Sequence, residues 1–352
     1  MFEMSLVKIR NHLMKSMKLS FVLVGLLLIG LSGCVKEYKL RSPDKNIQLE
    51  FNLSEGKPSY TLTVGDKTPI KNATLGVKID NNFNGVFKVI ESQTKEVNEE
   101  YEMIWWKNRQ VDNHYIEMKI SLEQVSETPK KLNIIFRAYD DGIAFRYAFP
   151  EQENLKEFII EEDLSEFAFT EDFTWWSANG ERENLGPLSM KAFESPVFTP
   201  TVLKCADNLY LGIHEAATYE FSNFKLKKGD KPYSFQCDVQ GVSQAKTGMQ
   251  TSWRTIFIGN KPGSLVESNL LVNLNPASKI EDTSWIKSGT SMWDWRTWGY
   301  TAPDGFVYGL NTTSHKRFID FAADNNVDYL LMDADWYGPE FSENSDPTKS
   351  NN

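Results

Sequence analysis

The sequence predicts a mainly β protein, in which one large β-sandwich is followed by the first one or two βα units of a (β/α)8 barrel. Two observations carry this prediction. From Ile47 to about Leu274, short runs rich in β-branched and aromatic residues recur with turn residues between them. After Trp285 the pattern changes to strand, helix and strand within about 40 residues, which is typical of a βαβ unit.

Residues 1–33 are predicted to be a bacterial lipoprotein signal peptide. Basic residues precede an apolar run at 19–31, which is shorter than a membrane-spanning helix requires. The run ends in Leu31-Ser32-Gly33-Cys34, which resembles the bacterial lipobox. The pattern predicts a lipid on Cys34 and a protein held in the cell envelope, on the periplasmic face or at the outer membrane. An ordinary signal peptide and an uncleaved anchor are the alternatives.

The β domain is predicted over 47–285, behind a short polar linker at 34–46. Several of its runs alternate polar and apolar residues, as at 48–53, and this alternation indicates strands with one buried face. Turn residues such as those at 140–142 separate the runs. About 230 residues of this pattern fit one large sandwich.

The segment 286–352 is predicted to begin a (β/α)8 barrel. Residues 291–295 are interpreted as a strand, 315–324 as a helix, and 328–333 as a continuously apolar strand of the kind buried in parallel sheets. A complete barrel needs about 250 residues, and about 60 remain from Ser291 onward. We therefore expect the sequence to stop inside its second domain. A small α/β appendage and a truncated gene product are the alternatives.

Composition excludes some classes of function. The net charge of −10 argues against nucleic-acid binding, which depends on Lys and Arg at phosphates. It argues equally against electrostatic binding to anionic lipid, so the membrane link is expected to come from the lipid on Cys34. The His residues are scattered and no CxxC or HExxH spacing occurs, which argues against a His- or Cys-based metal site.

Cys205 and Cys237 either form a disulfide or remain two isolated thiols.

Several segments, taken in order over about 300 residues, resemble glycoside hydrolase family 97, whose members include α-glucosidases and α-galactosidases. In the β domain the matching runs include IFRAYDDGIAFRY at 135–147, FTPTV at 198–202 and LGIHEAA at 211–217. Trp293-Asp294-Trp295 resembles the first barrel strand of the family, and DYLLMDADWY at 328–337 resembles the second.

The resemblance implies an N-terminal β-super-sandwich, a central (β/α)8 catalytic barrel and a small C-terminal β domain. It also implies cleavage of α-linked sugars with a calcium ion in the site. The catalytic carboxylates of the family come from later barrel strands, so we expect them beyond residue 352, and neither an inverting nor a retaining mechanism can be chosen. One calcium ligand of the family is a Glu from the β domain, for which Glu183 is the candidate. Arg182 stands where the family usually has an aromatic residue, and a solvated acidic turn is the alternative.

Four residues at the ends of the two predicted barrel strands are candidates for substrate binding. The C-terminal ends of barrel strands form the active-site face. We expect Trp295 or Trp336 to form a platform for a sugar ring, and Asp333 or Asp335 to bond sugar hydroxyls. Packing, or capping of the next helix, is the alternative. Glu215 is expected to be a polar residue at a domain interface rather than a catalytic one.

The predicted function is an exported lipoprotein glycoside hydrolase that acts on α-linked oligosaccharides and is catalytically incomplete in this sequence. The rival hypothesis is a surface carbohydrate-binding lipoprotein without hydrolytic activity. The rival accounts for the aromatic content and the anchor, but it leaves the βαβ pattern after Ser291 unexplained. The sequence does not predict an oligomeric state.

Overall fold

The computed structural model describes residues 37–346 and 348, apart from 81, 82, 84, 195 and 240. The predicted signal peptide at 1–33 and the predicted lipid site at Cys34 lie outside these residues. The chain divides into two compact units, of which the first ends at Pro276 and the second begins at Ala277. The predicted mainly β fold with a sandwich is confirmed.

The first unit contains nineteen of the strands described and two short α-helices. Its strands are β1 (Tyr38–Arg41), β2 (Ile47–Ser54), β3 (Lys57–Val64), β4 (Lys67–Thr74), β5 (Val77–Ile79), β6 (Phe87–Glu102), β7 (Gln110–Gln124), β8 (Lys131–Tyr139), β9 (Gly142–Ala148), β10 (Glu157–Asp163), β11 (Glu166–Ala168), β12 (Thr174–Ala178), β13 (Leu185–Ser189), β14 (Phe198–Ala206), β15 (Leu209–Ala216), β16 (Phe224–Lys228), β17 (Ser234–Val239), β18 (Ser243–Lys246) and β19 (Trp253–Gly259). The helices are α1 (Pro262–Glu267) and α2 (Leu270–Asn273), and a 3-10 turn spans Met190–Ala192.

A nine-stranded antiparallel sheet, in the order β13-β12-β14-β15-β19-β9-β8-β7-β6, is the main layer of this unit. One of its faces is covered by a four-stranded sheet, β1-β2-β3-β4, and by two three-stranded sheets, β18-β10-β5 and β11-β17-β16. Ring contacts cross the layers, at 6.1 Å between Phe51 and Phe136 and at 5.8 Å between Trp175 and Phe235. The opposite face packs on α2 through Leu270.

Alternation of apolar and polar residues explains why these segments form strands. In β2, Ile47, Leu49 and Phe51 are fully buried while the residues between them are half-buried. Successive side chains of a strand point to opposite faces, so this pattern places one face of the strand in the core. Each fully buried apolar side chain of this size contributes about 1.5–3 kcal/mol, and the resulting core runs the length of the sandwich.

The prediction that residues 34–46 form a linker is wrong for part of that range. Tyr38–Arg41 forms β1, which pairs antiparallel with β2 and buries Leu40. One apolar residue among polar ones is a weak signal, because an edge strand leaves its outer side in water. The first unit also ends at Pro276, ahead of the predicted boundary at 285, because its last strand is followed only by α1 and α2.

The second unit contains one strand–helix–strand motif: β20 (Ser291–Trp293), a 3-10 turn at Trp295–Thr297, α3 (Thr312–Asp324) and β21 (Tyr329–Leu331). β20 and β21 pair in parallel, as the predicted βαβ unit requires. The side chain of Asn311 caps α3 by accepting from the Ser314 amide at 2.9 Å. β21 is shorter than predicted, and Leu331 is 53% exposed, because the two-stranded sheet leaves its faces open within this unit.

Two further findings bear on the sequence predictions. Cys205 and Cys237 are free thiols rather than a disulfide, and Cys237 is buried. Among the residues that the structure describes, none of the helices has the length and apolar character needed to cross a bilayer.

A fully buried ion pair joins the nine-stranded sheet to the smaller sheet that contains β10. Arg254 on β19 donates through Nε to Oδ2 of Asp163 at 2.6 Å, and both side chains have no exposed surface. Arg254 also donates to the Ser252 carbonyl and hydroxyl, and Asp163 accepts from the Ser165 amide. These additional hydrogen bonds compensate the pair for its loss of water.

Candidate functional site

Asp294 organises the end of the parallel strand pair in the second unit. It directly follows β20, and its side chain is fully buried. Its Oδ2 lies 3.0 Å from Nε2 of His315 on α3, and its Oδ1 accepts from the Asp333 amide at 3.1 Å. The carboxylate therefore connects the ends of both strands to the helix between them. This arrangement makes Asp294 a positioning residue, because its oxygens already have protein partners.

Asp333 lies beside it, at the C-terminal end of β21. Its Oδ2 accepts from the indole Nε1 of Trp293 at 2.5 Å, and Trp293 is itself 39% exposed with the guanidinium of Arg296 stacked 4.9 Å from its ring. A carboxylate has about four acceptor positions, and the indole uses one. The half-buried Asp333 therefore keeps capacity to accept from a ligand hydroxyl.

The other three predicted substrate-binding residues are each held within their own segment. Trp295 packs on Trp298 with ring centroids 4.7 Å apart and stays 43% exposed. Trp336 packs edge-on against Tyr337 and is 37% exposed. Asp335 has a left-handed φ of 65° and accepts from the Glu340 amide at 2.8 Å, so it stabilises a turn.

Sequence reasoning missed two members of this site. Trp293 belongs to the same Trp-Asp-Trp run as Trp295, and its position two residues away placed it on the same strand. Alternate residues of a strand share a face, but the predicted strand at 291–295 ends at Trp293, and Trp295 begins a 3-10 turn. His315 carried no local signal, since its approach to Asp294 depends on how α3 packs against the strands.

Glu183 lies in the hairpin between β12 and β13, and its side chain is exposed. The hairpin is ordered partly by Asn179, whose Nδ2 donates to the Glu183 carbonyl at 3.4 Å. Calcium takes about six to eight oxygen ligands. Within the described part of the chain, no three acidic, His or Cys side chains gather as a metal site would need. The described residues therefore do not by themselves fit a calcium ion.

Glu215 is the acidic residue whose surroundings most alter its chemistry. It lies on β15 directly opposite Arg254 on β19, and it is 9% exposed. Burial raises the pKa of its carboxyl to about 7, against a smaller lowering effect from Arg254. Its Oε2 has no hydrogen-bond partner among the described residues. Strong perturbation often marks a functional group, but this one is enclosed in the sandwich beside a structural ion pair.

Comparison with known proteins gives a family for the first unit. The model of the N-terminal domain of glycosyl-hydrolase 97 matches residues 40–276. A retaining alpha-galactosidase from Bacteroides thetaiotaomicron is 23% identical over 363 aligned positions, covering 91% of this chain and 53% of that protein. A probable retaining alpha-galactosidase from Streptomyces bingchenggensis is 23% identical over 308 positions, covering 85% of this chain and 46% of that protein.

Solved structures agree with this result. A glycoside hydrolase family 97 enzyme from Pseudoalteromonas sp. strain K8, in complex with acarbose, superposes with a TM-score of 0.75 at 28% identity. The match covers 87% of this chain and 48% of that one. A glycoside hydrolase family 97 enzyme from the same strain, in complex with panose, superposes with a TM-score of 0.74, also at 28% identity. That match covers 85% of this chain and 49% of the other. The chain thus spans about half the length of the relatives it matches.

The raised pKa of Glu215 predicts a pH-dependent change in stability. The folded carboxyl keeps its proton up to about pH 7, whereas the unfolded one loses it near 4.5. The folded state binds more protons between these values, so Glu215 lowers stability as pH rises through that window, and the full cost is present above it. We expect Glu215→Gln to raise the free energy of unfolding by about 1–3 kcal/mol at pH 8, and to have little effect at pH 4.

Urea unfolding at both pH values measures this difference. Glu157→Gln is the matched control, because Glu157 is an exposed acid of the same unit, and it should change the midpoint at neither pH. An equal gain for Glu215→Gln at pH 4 and pH 8 would contradict the ionisation argument.

Proposed function

The chain belongs to glycoside hydrolase family 97, and from this premise we propose that it is the N-terminal part of a glycosidase that cleaves α-linked glucosides or galactosides from oligosaccharides. The observation that carries the proposal is the order of the two units. The family's N-terminal domain covers 40–276, and a parallel strand–helix–strand motif of the kind that builds catalytic barrels follows it.

The proposed substrate class rests on the relatives. The curated relatives are named retaining alpha-galactosidases, and the solved relatives were obtained in complex with panose and acarbose. We propose the same broad class of α-linked oligosaccharide for this protein. We propose that the acid and the base, which decide between inversion and retention, lie outside the strand–helix–strand motif described here.

Within the second unit, the proposed role of the site residues is to bind sugar. Asp333 is oriented by the Trp293 indole and keeps free acceptor positions, which suits a sugar hydroxyl. Trp295 and Trp336 each keep part of a ring exposed for stacking on the apolar face of a sugar. Asp335 contributes through the turn that carries Trp336.

Two assays on the chain test the proposal. Calorimetry with panose and with an α-galactosyl oligosaccharide should show binding that Asp333→Ala weakens about tenfold, or about 1.4 kcal/mol. Asp320→Ala is the control, because Asp320 is exposed on α3. Turnover of p-nitrophenyl α-glucoside and α-galactoside should stay at background, since the acid and base are proposed to lie on later strands.

Each assay has an outcome that would contradict us. Turnover comparable to that of an intact glycosidase would disprove the proposal that the acid and the base lie outside the strand–helix–strand motif. Binding by residues 35–285 alone, or binding by the whole chain that Asp333→Ala leaves unchanged, would favour the rival carbohydrate-binding lipoprotein. The absence of heat with every α-linked sugar would contradict both the proposed sugar site and the rival carbohydrate-binding lipoprotein.

We propose that a diacylglyceryl group on Cys34 holds the protein in the cell envelope, at the periplasmic face or the outer membrane. The support is the basic segment, apolar run and small residues that precede Cys34. Labelled palmitate fed to expressing bacteria should be incorporated into the chain, and Cys34→Ser should abolish the label. Cys205→Ser, at a residue within the fold, should retain it. Equal labelling of both variants would disprove the anchor.

We also propose calcium as the metal of the assembled site, with Glu183 as one ligand. The support is the family membership and the exposed position of Glu183 at its hairpin. Because one carboxylate cannot hold the ion, millimolar Ca²⁺ should shift the melting temperature of this chain by less than about 1 °C. A larger shift that Glu183→Gln abolishes and Glu181→Gln preserves would show that the chain already contains a complete calcium site.

A further inference from the structure

A cavity of about 320 Å³ in the first unit is lined by two arginines, Arg137 on β8 and Arg146 on β9. Trp253 on β19 contacts both, with its ring centroid 4.9 Å from the Arg137 guanidinium and 4.1 Å from that of Arg146. Tyr219, which is 61% exposed, is also part of the lining, so the cavity opens to solvent. The indole holds both guanidinium planes in fixed positions.

The charges around this cavity do not balance. Glu117 accepts from Arg137 Nε at 2.9 Å and also pairs with Lys95 at 3.0 Å. Arg146 has no ion pair within the described part of the chain, and its buried Nε has no hydrogen-bond acceptor there. Two arginines and a lysine therefore share one carboxylate. This local excess of positive charge occurs in a chain whose net charge is −10, so it does not follow from composition.

An unpaired guanidinium at such a place is costly. A buried donor without an acceptor loses its bonds to water and gains none. Burial, followed by repulsion from Arg137, lowers the pKa of Arg146 to about 10, so the side chain still carries its charge at neutral pH. An anion in the cavity would offset both the unpaired charge of Arg146 and the repulsion between the two arginines.

We propose that this cavity is a binding site for an oxyanion, in which Arg146 is the principal donor and Arg137 supports it. A guanidinium presents parallel N–H groups that match a carboxylate, sulfate or phosphate. The amide side chains of Gln250 and Asn275 add polar groups to the lining. The cavity volume exceeds that of one small anion and matches a small-molecule pocket, so the anion is either free in solution or a substituent of an acidic sugar.

Calorimetry on the whole chain distinguishes these sources. Sodium sulfate and sodium galacturonate are titrated separately, at constant ionic strength set with sodium chloride, and neutral galactose is titrated in parallel. Saturable binding of both anions shows that the oxyanion alone is recognised. Saturable binding of galacturonate only shows that the sugar body contributes. Any heat from galactose should be unchanged in Arg146→Met, which separates this cavity from the proposed sugar site at Asp333.

Variants connect the binding to the arginine. Arg146→Met keeps the aliphatic stem on Trp253 and should weaken anion binding at least about tenfold, as should Arg146→Lys, which keeps the charge but loses the planar fork. Arg109→Met, at a residue whose side chain is 81% exposed, is the control and should bind as the parent does. Circular dichroism confirms folding of each variant. The absence of saturable binding by the parent chain, or equal binding by parent and Arg146→Lys, would overturn the proposal.

Discussion

The buried pair of Arg254 and Asp163 is the constraint on which the sandwich depends. The two residues lie 91 positions apart in the chain and on different sheets, and neither reaches solvent. Breaking such a pair by removing one partner typically costs about 3–5 kcal/mol, because it leaves an uncompensated buried charge. The sheets must therefore meet in the one arrangement that brings the carboxylate, Ser252 and Ser165 to their places.

The same constraint explains the unusual carboxyl of Glu215. Its strand position opposite Arg254 is fixed by the ladder between β15 and β19. Arg254 is already paired with Asp163, so it lowers the pKa of Glu215 less than burial raises it.

Three arginines of this sheet differ in how completely the fold pairs their charge. Arg254 is fully paired, Arg137 shares Glu117 with Lys95, and Arg146 lacks an acceptor for its Nε. Arg146 lines a cavity that opens to solvent, where the proposed anion would pair with its charge.

Features set by local pattern could be predicted from the sequence, whereas features set by long-range packing could not. Alternation along β2 and β8 was sufficient to predict strands, because the period of a strand is set by its own backbone. β1 was missed since a single buried residue, Leu40, gives no period. The Trp-Asp-Trp run placed Asp294 and Trp295 at a strand end, yet no local pattern indicates that Asp294 is buried against His315. Pairings such as this, and that of Arg254 with Asp163, depend on tertiary contacts.

The three carboxylates at the strand ends of the second unit differ in how many open acceptor positions they can offer a ligand. Glycoside hydrolysis requires two carboxyl groups with open positions, about 5–5.5 Å apart for retention and about 6.5–9.5 Å apart for inversion. Asp294 is fully buried and occupied by His315 and the Asp333 amide, and Asp335 is engaged in its turn. Asp333 is therefore the carboxylate of these three that is best disposed to meet a ligand. One oriented carboxylate beside partly exposed indoles is arranged to hold a sugar, whereas these three residues do not present the pair of open carboxylates that hydrolysis requires.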